Sequence, residues 1–180
     1  MLGKWLEMLK LVAPAVTRVA LMFNPDTVPY DRFLSSFEAE TRKYPVTVTS
    51  AHVRNEAEVE TVIAGLAAAP GGGLIVPPDA YTLVRRGLIV QAVARHRVPA
   101  IYSYRQFVKE GGLMSYAPDT ADVFRRSAWY VDRILNGAKP AELPAQAPIK
   151  FEFVINLKTA TTLGLTVPPT VHGLTDEVIE

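Results

Sequence analysis

Short apolar runs alternate with longer amphipathic stretches along the first two thirds of the chain. The runs are rich in apolar or β-branched residues and are bounded by turn-forming residues, which is typical of strands. They predict strands at Thr17–Phe23, Val46–Val53, Gly73–Val76, Ala100–Tyr102 and Leu113–Tyr116. The intervening stretches repeat apolar residues at helical spacing and predict helices over residues 3–13, 30–43, 56–68 and 82–96.

The alternation of strands and helices determines the expected fold class. Parallel strands need crossover connections, and helices usually supply them. We therefore predict an α/β fold, with a parallel sheet of about five strands in the order usual for doubly wound units and helices on both faces.

The pattern changes after the last of these strands. The spacing predicts one long helix, a proline-containing connector, a strand, a short helix capped by Asn156 and an irregular tail. These segments are Asp119–Gly137, Ala138–Pro148, Phe151–Ile155, residues 157–163 and Leu165–Glu180. They follow a complete α/β pattern, and we expect them to pack against something other than its sheet.

Composition removes several classes of function. Apolar residues make up 49% of the 180 positions and charged residues 21%, which is typical of a globular protein. The formal net charge of +1 gives no basic surface for nucleic acid. The absence of cysteine excludes disulfides and thiolate ligands. No apolar run approaches the roughly 20 residues that span a bilayer, and the first residues lack the continuous apolar stretch of a signal peptide.

Familiar catalytic and cofactor motifs are missing from the sequence. It contains no GxGxxG after the first strand, no phosphate-binding loop, no GxSxG and no HExxH. The three histidines, His52, His96 and His172, lack metal-ligand spacing. We expect no enzymatic activity, no cofactor and no metal.

Polar and aromatic residues follow the predicted strands, at the edge where parallel sheets bind ligands. The candidate ligand-binding residues are Asn24, Asp26, Asp79, Tyr81, Ser103, Tyr104, Arg105, Tyr116 and Asp119. An acid suits an ammonium group, Arg105 suits a carboxylate, and tyrosines suit the wall of a small zwitterion site. The alternative for the three aspartates is helix capping, because each precedes a predicted helix.

Several longer stretches resemble one family. They are FNPDTVPY, GGGLIVPPDAYT, GGLMSYAPD, YVDRILNGAKPAELPAQAP, FEFVINLKTATTLGLTVPP and the terminal TDEVIE. In this order they look like the ABC-transporter substrate-binding proteins related to tryptophan and tyrosine transport, which are periplasmic binding proteins of type I. The resemblance implies two α/β lobes joined by three chain crossings, with a ligand in the cleft between them.

The resemblance also implies how the chain is divided. Residues 1–116 correspond to the second lobe, and residues 117–180 to a helix–strand–helix return segment toward lobe one and a C-terminal tail. The chain as given lacks the signal peptide and most of lobe one. By resemblance the protein is periplasmic and works with an ABC permease, whereas it is cytoplasmic if these 180 residues are the complete product.

The absence of most of lobe one changes the oligomeric state that we expect. In the family, lobe one buries the apolar faces of the long helix and the following strand. Without that partner, we expect a homodimer through residues 119–165. The alternative is that this segment folds back on lobe two and leaves a monomer.

These observations favour binding of a small organic molecule, such as an amino acid, for an ABC importer. One alternative is an effector-binding or protein-interaction domain of the same fold with no transport role. Another is an enzyme of flavodoxin-like architecture, disfavoured because no paired carboxylates, activated nucleophile or phosphate loop is present.

Overall fold

The computed structural model describes residues 1–33, 41–42 and 44–180. Its centre is a seven-stranded sheet in the order β2-β1-β3-β4-β5-β6-β7. The strands are β1 (Arg18–Phe23), β2 (Thr47–His52), β3 (Gly72–Val76), β4 (Ala100–Tyr102), β5 (Met114–Pro118), β6 (Phe151–Asn156) and β7 (Glu177–Ile179). Strands β1 to β5 are mutually parallel, β6 pairs antiparallel with β5, and β7 pairs parallel with β6.

Helices cover both faces of the sheet. The described α-helices are α1 (Leu2–Val12), α2 (Glu56–Ala67), α3 (Ala80–Val84), α4 (Arg86–His96), α5 (Arg105–Lys109), α6 (Thr120–Leu135), α7 (Leu157–Thr162) and α8 (Pro169–His172). Short 3-10 helices occupy Tyr30–Phe33 and Pro140–Glu142. No helix in these ranges combines the length and apolarity needed to cross a membrane.

The central strands are apolar on both sides because helices cover both. One core joins α1, α7 and α8 to residues such as Leu21 and Ile75. The other joins α2 and α4 to neighbouring residues such as Met22 and Val76. Such double burial is why β1, β3 and β4 read as continuous apolar runs rather than as alternating patterns.

The predicted order of the first five strands is confirmed, but the sheet extends further than the sequence indicated. Strand β6 adds to the edge of β5, with Tyr116 opposite Phe153. The tail was expected to be irregular, and that prediction is wrong, since it contains α8 and β7. Asp176 anchors it to β6, donating its N–H to the Phe153 carbonyl at 2.9 Å and accepting the Phe153 N–H at 2.8 Å.

The expected packing of the strand at Phe151–Ile155 is also corrected. We expected a first lobe to bury its apolar face, but β6 buries Phe153 and Ile155 in the core that contains α1. Its β-branched and aromatic residues fit the free edge of β5 and satisfy the backbone groups there. For this strand, folding back on the sheet is what the structure shows.

Two helix predictions need revision. The single helix predicted over residues 82–96 is two helices, α3 and α4, which meet at Arg85. Asp79 starts α3 early by capping it, and Arg85 leaves helical geometry with φ −96° and ψ 15°. Helix α5 was not predicted, since five residues are too few for a periodic signal. The helix predicted over 30–43 lies largely outside the described residues.

Helix α6 agrees with its predicted span but not with the burial expected for it. Asp119 caps its start, and Gly137 follows its end with φ 93°. None of its residues is buried against the described parts of the chain. Phe124 is 72% exposed and Leu135 81% exposed, although both lie on its apolar face.

Candidate functional site

The carboxyl ends of β1, β3, β4 and β5 meet at one edge of the sheet, here called the carboxyl edge. Because β6 and β7 run the opposite way, they begin at this same edge. The topology therefore brings the loops that hold the nine predicted residues to one side of the molecule. Two acids that were not predicted, Glu152 and Glu177, lie on the same side.

Asp79 holds two of these loops together. It is 2% exposed. Its carboxylate accepts the N–H of Asn24 at 2.9 Å, the N–H of Tyr81 at 2.9 Å and the hydroxyl of Thr27 at 2.6 Å. Both oxygens are thus occupied by donors from the β1 and β3 loops, which is the capping role considered as the alternative for this residue.

The loop after β1 is shaped by Asn24. This residue is buried, and its side-chain oxygen accepts the N–H of Asp26 at 2.8 Å. Asp26 itself is exposed and pairs with Arg54 at 3.2 Å. Asn24 therefore positions the loop, while the Asp26 carboxylate faces solvent at its outer side.

Tyrosines surround Asp79. The Tyr30 hydroxyl donates to the Pro78 carbonyl at 2.8 Å. Burial, followed by the nearby Tyr104 and Asp79, raises the pKa of Tyr30 to about 12. Burial and Asp79 likewise raise the pKa of Tyr104. Both phenols therefore stay neutral at physiological pH and can act as hydrogen-bond donors.

Two buried hydroxyls in the loops after β3 and β4 have no hydrogen-bond partner among the described residues. The Ser103 side chain is 2% exposed, and its oxygen has no hydrogen-bond partner among the described residues. The Tyr81 hydroxyl is also buried without a partner there, and the Arg85 guanidinium lies 3.9 Å from the centre of its ring. Buried polar groups are normally paired, so these hydroxyls could still bond a ligand, as could the Nε atoms of Arg85 and Arg105, which are also buried without a described partner.

Arg105 is already neutralised by protein carboxylates. Its guanidinium donates to Glu152 at 2.8 Å and also to Glu177. A ligand carboxylate at this arginine would have to displace one of them. The acids occur in the FEFVI and TDEVIE stretches, but only the antiparallel β6 brings them beside α5.

The remaining two predicted residues lie where the chain crosses the edge. Tyr116 stacks on Phe151, with ring centres 5.4 Å apart, and its carbonyl accepts the Trp5 indole N–H at 2.6 Å. Asp119 pairs with Lys150 at 2.6 Å, and this hydrogen bond is the main cause of its lowered pKa. The crossing cluster consists of Arg105, Tyr116, Asp119, Lys150, Glu152 and Glu177.

The predicted residues therefore fall into two groups. Asn24, Asp26, Asp79, Tyr81, Ser103 and Tyr104 belong to the loops after β1, β3 and β4, whereas Arg105, Tyr116 and Asp119 belong to the crossing cluster. The first group offers neutral hydroxyls and an aromatic wall, which suit a small polar molecule with an apolar part. Among the residues the structure describes, no group of three or more His, Asp or Glu side chains could hold a metal ion.

Comparison with protein families decides the relationship. The family described as ABC transporter substrate binding protein matches residues 1–179. The chain belongs to this family. No match to this substrate-binding protein was found among curated proteins.

Solved structures share the fold over nearly the whole chain. An ABC domain from Streptococcus pneumonia, solved in complex with L-Trp, is 24% identical with a TM-score of 0.87, covering 99% of this chain and 60% of that one. A conserved domain protein from Vibrio cholerae is 20% identical with a TM-score of 0.86, covering 98% and 60%. A ligand-free, open substrate-binding protein with adhesive properties from Clostridium difficile is 20% identical with a TM-score of 0.72, covering 98% and 59%. The chain thus spans about 60% of the length of these structures.

Proposed function

We propose that this chain is the second lobe of the solute-binding component of an ABC importer, acting outside the cytoplasm with a permease. In this proposal residues 1–116 form most of the lobe, and residues 117–180 contain the crossings toward the first lobe together with β6 and β7, which complete the sheet. Family membership over residues 1–179 carries the proposal. Family members bind substrate rather than transform it, in keeping with the expectation of no enzymatic activity.

The proposed ligand is a small organic molecule such as an amino acid, bound at the carboxyl edge. The L-Trp held by the Streptococcus pneumonia structure supports this ligand class. The unused Ser103 and Tyr81 hydroxyls support the place, because a ligand would satisfy groups that the protein leaves unpaired. Asp79 acts in this proposal by holding the β1 and β3 loops in register, not by direct ionic contact.

Titration of the 180-residue chain with a panel of amino acids, followed by amide NMR shifts, tests the ligand and the site. We expect one or more amino acids to perturb the amides of residues 24–27, 79–81 and 103–105. Ser103→Ala should weaken binding by about 0.5–1.5 kcal/mol through loss of one hydrogen bond. The matched control is Ser127→Ala, which changes an exposed serine on α6.

The outcomes separate two kinds of failure. Perturbation confined to residues elsewhere would refute this edge as the site. Absence of any perturbation by the whole panel would refute amino acids as ligands of this lobe.

We also propose that the 180-residue chain forms a homodimer through part of the segment 119–165. Because β6 belongs to the sheet, the surface left for a second copy is the apolar face of α6 and the connector after it. Phe124, Leu135 and Ile149, the residue just after the connector, are more than 70% exposed there. Exposed apolar patches of this kind are unusual on soluble monomers.

Light scattering at micromolar concentration tests the dimer. We expect a mass of twice 19.7 kDa for the chain, and 19.7 kDa for the double variant Phe124→Glu/Leu135→Glu. Arg125→Glu is the control, since it changes charge on the polar side of the same helix. A monomeric wild-type chain would rule out the dimer without touching the proposed ligand site.

A further inference from the structure

The edge of the sheet opposite the carboxyl edge contains a cavity of about 450 Å³. It lies where α1, α2 and α4 end and β3 begins, beside the turn that follows α7. Its walls are mostly apolar, and include Val12, Val16, Leu66, Val98 and Leu165. Its volume is in the range of about 300–1,000 Å³ that small-molecule pockets occupy.

Glycines fix the wall at the start of β3. A side chain at Gly72 would place its Cβ 2.1 Å from the Leu66 carbonyl oxygen, and one at Gly73 would lie 2.8 Å from the Val16 side chain. The strand can approach α2 and the Val16 turn this closely only without side chains. At the start of β3, the cavity is therefore bounded by tightly packed backbone.

Helix carboxyl ends converge on the cavity and would by themselves disfavour an anion. Two cations already bind carbonyl groups just beyond the ends of α1 and α2. Lys10 donates to the Val16 carbonyl at 2.7 Å, and Arg18 donates to the Ala69 carbonyl at 2.8 Å. These contacts offset the negative partial charge at this edge of the molecule.

Arg97 adds a positive charge that none of the described protein groups pairs with. It lines the cavity and is exposed, and its guanidinium has no hydrogen bond or ion pair with any described residue. The neighbouring His96 and Arg95, by contrast, both pair with Glu60, at 2.7 and 3.1 Å. Arg97 is also the one described non-glycine residue with positive φ, at 54°. That conformation costs about 1 kcal/mol or more for a residue with a Cβ.

We propose that this cavity binds a small amphipathic carboxylate, with its apolar part among the aliphatic side chains and its carboxylate on Arg97. The apolar lining, the neutralised carbonyls and the unpaired guanidinium together match that chemistry. The cavity and the carboxyl edge lie at opposite ends of the strands. The cavity is therefore independent of the proposed solute site.

Titration of the 180-residue chain with decanoate, kept below its micelle concentration, tests the proposal. We expect saturable amide NMR shifts at residues 12–16, 66–72, 96–99 and 164–166. Arg97→Gly should weaken decanoate binding about tenfold or more through loss of the charged hydrogen bond. The same change should raise the melting temperature, because glycine accepts positive φ. A loss of binding in a more stable protein cannot be attributed to unfolding.

Two further variants complete the design. Arg97→Lys keeps the charge and should retain binding within a few-fold, and Ala15→Phe should abolish binding by filling the cavity. Ala128→Phe on α6 is the control for added aromatic surface. The proposal is overturned if decanoate perturbs α6 instead of the cavity, if Arg97→Gly binds as tightly as the wild type, or if Ala15→Phe and Ala128→Phe behave alike.

Discussion

Helices α1 and α6 have similar sequence patterns and opposite surroundings. Both show apolar residues at helical spacing, and the sequence predicts both. In α1, seven of eleven residues are buried, including Trp5, Leu6 and Leu9. In α6, none of sixteen is buried against the described chain. An amphipathic pattern therefore tells which face of a helix is apolar, but not what covers that face.

The two helices are also held in different ways. Helix α1 has no side-chain cap at its start and depends on packing against the sheet. Helix α6 depends on local contacts, since Asp119 caps its first turn and Asp122 pairs with Arg126 at 2.8 Å, one turn later. Tertiary packing normally supplies most helix stability, so α6 needs a partner surface to be as stable as α1.

The largest difference is expected from removing one leucine from each helix. Leu6→Ala should lower the free energy of unfolding by about 2–5 kcal/mol, because it leaves a cavity at a fully buried position. Leu135→Ala should change it by less than about 0.5 kcal/mol, since that side chain is 81% exposed. Urea denaturation at low protein concentration measures both. Equal effects would show that α6 is as well packed as α1.

The two tryptophans sharpen the comparison, because each helix contains one. Trp5→Phe should cost about 1–3 kcal/mol, since it leaves the Tyr116 carbonyl without its donor. Trp129→Phe should cost less than about 0.5 kcal/mol. Acrylamide should quench the fluorescence of Trp129 in the Trp5→Phe variant, and it should barely quench that of Trp5 in the Trp129→Phe variant. Protection of Trp129 that disappears on dilution would indicate a second copy on α6.

The smallest effect concerns the cap of α6. Lys150 keeps the pKa of Asp119 below its ordinary value of about 4. A carboxyl group whose pKa is lowered by folding stabilises the protein above its unfolded pKa, and that contribution disappears as the pH falls through the folded value. We expect helical circular dichroism to fall below about pH 4, more at low salt than at high salt.

Asp119→Asn provides the control for that titration. Asparagine also caps helices but does not titrate, so the variant should lose this part of the pH dependence while keeping the helix. An unchanged acid transition in the variant would assign it to other carboxyl groups.

The central sheet could be predicted from sequence because two kinds of local signal agree. Each of β1, β3 and β4 is an apolar run bounded by turn residues, and the helices between them fix parallel pairing. Strand β7 could not be predicted in this way. Glu177–Ile179 has only three residues, and its place depends on the contact between Asp176 and Phe153.

The candidate site was predictable as a location rather than as a set of contacts. Parallel topology brings the loops after β1, β3 and β4 to one edge, whichever side chains they contain. Whether a side chain is free at that edge depends on partners far away in sequence. Arg105 is paired with residues 47 and 72 positions away, whereas the Ser103 hydroxyl, two residues before it, has no partner among the described residues.

The crossing cluster has a mechanical consequence. The segment leaving β5 and the segment entering β6 lie side by side, joined by the Asp119 N–H to Lys150 carbonyl bond at 3.0 Å and by the ion pair between the same residues. We expect two antiparallel segments joined in this way to resist twisting and sliding past each other more than bending across both. Any movement of α6 relative to the sheet should then be a bend at these two segments, toward or away from the carboxyl edge.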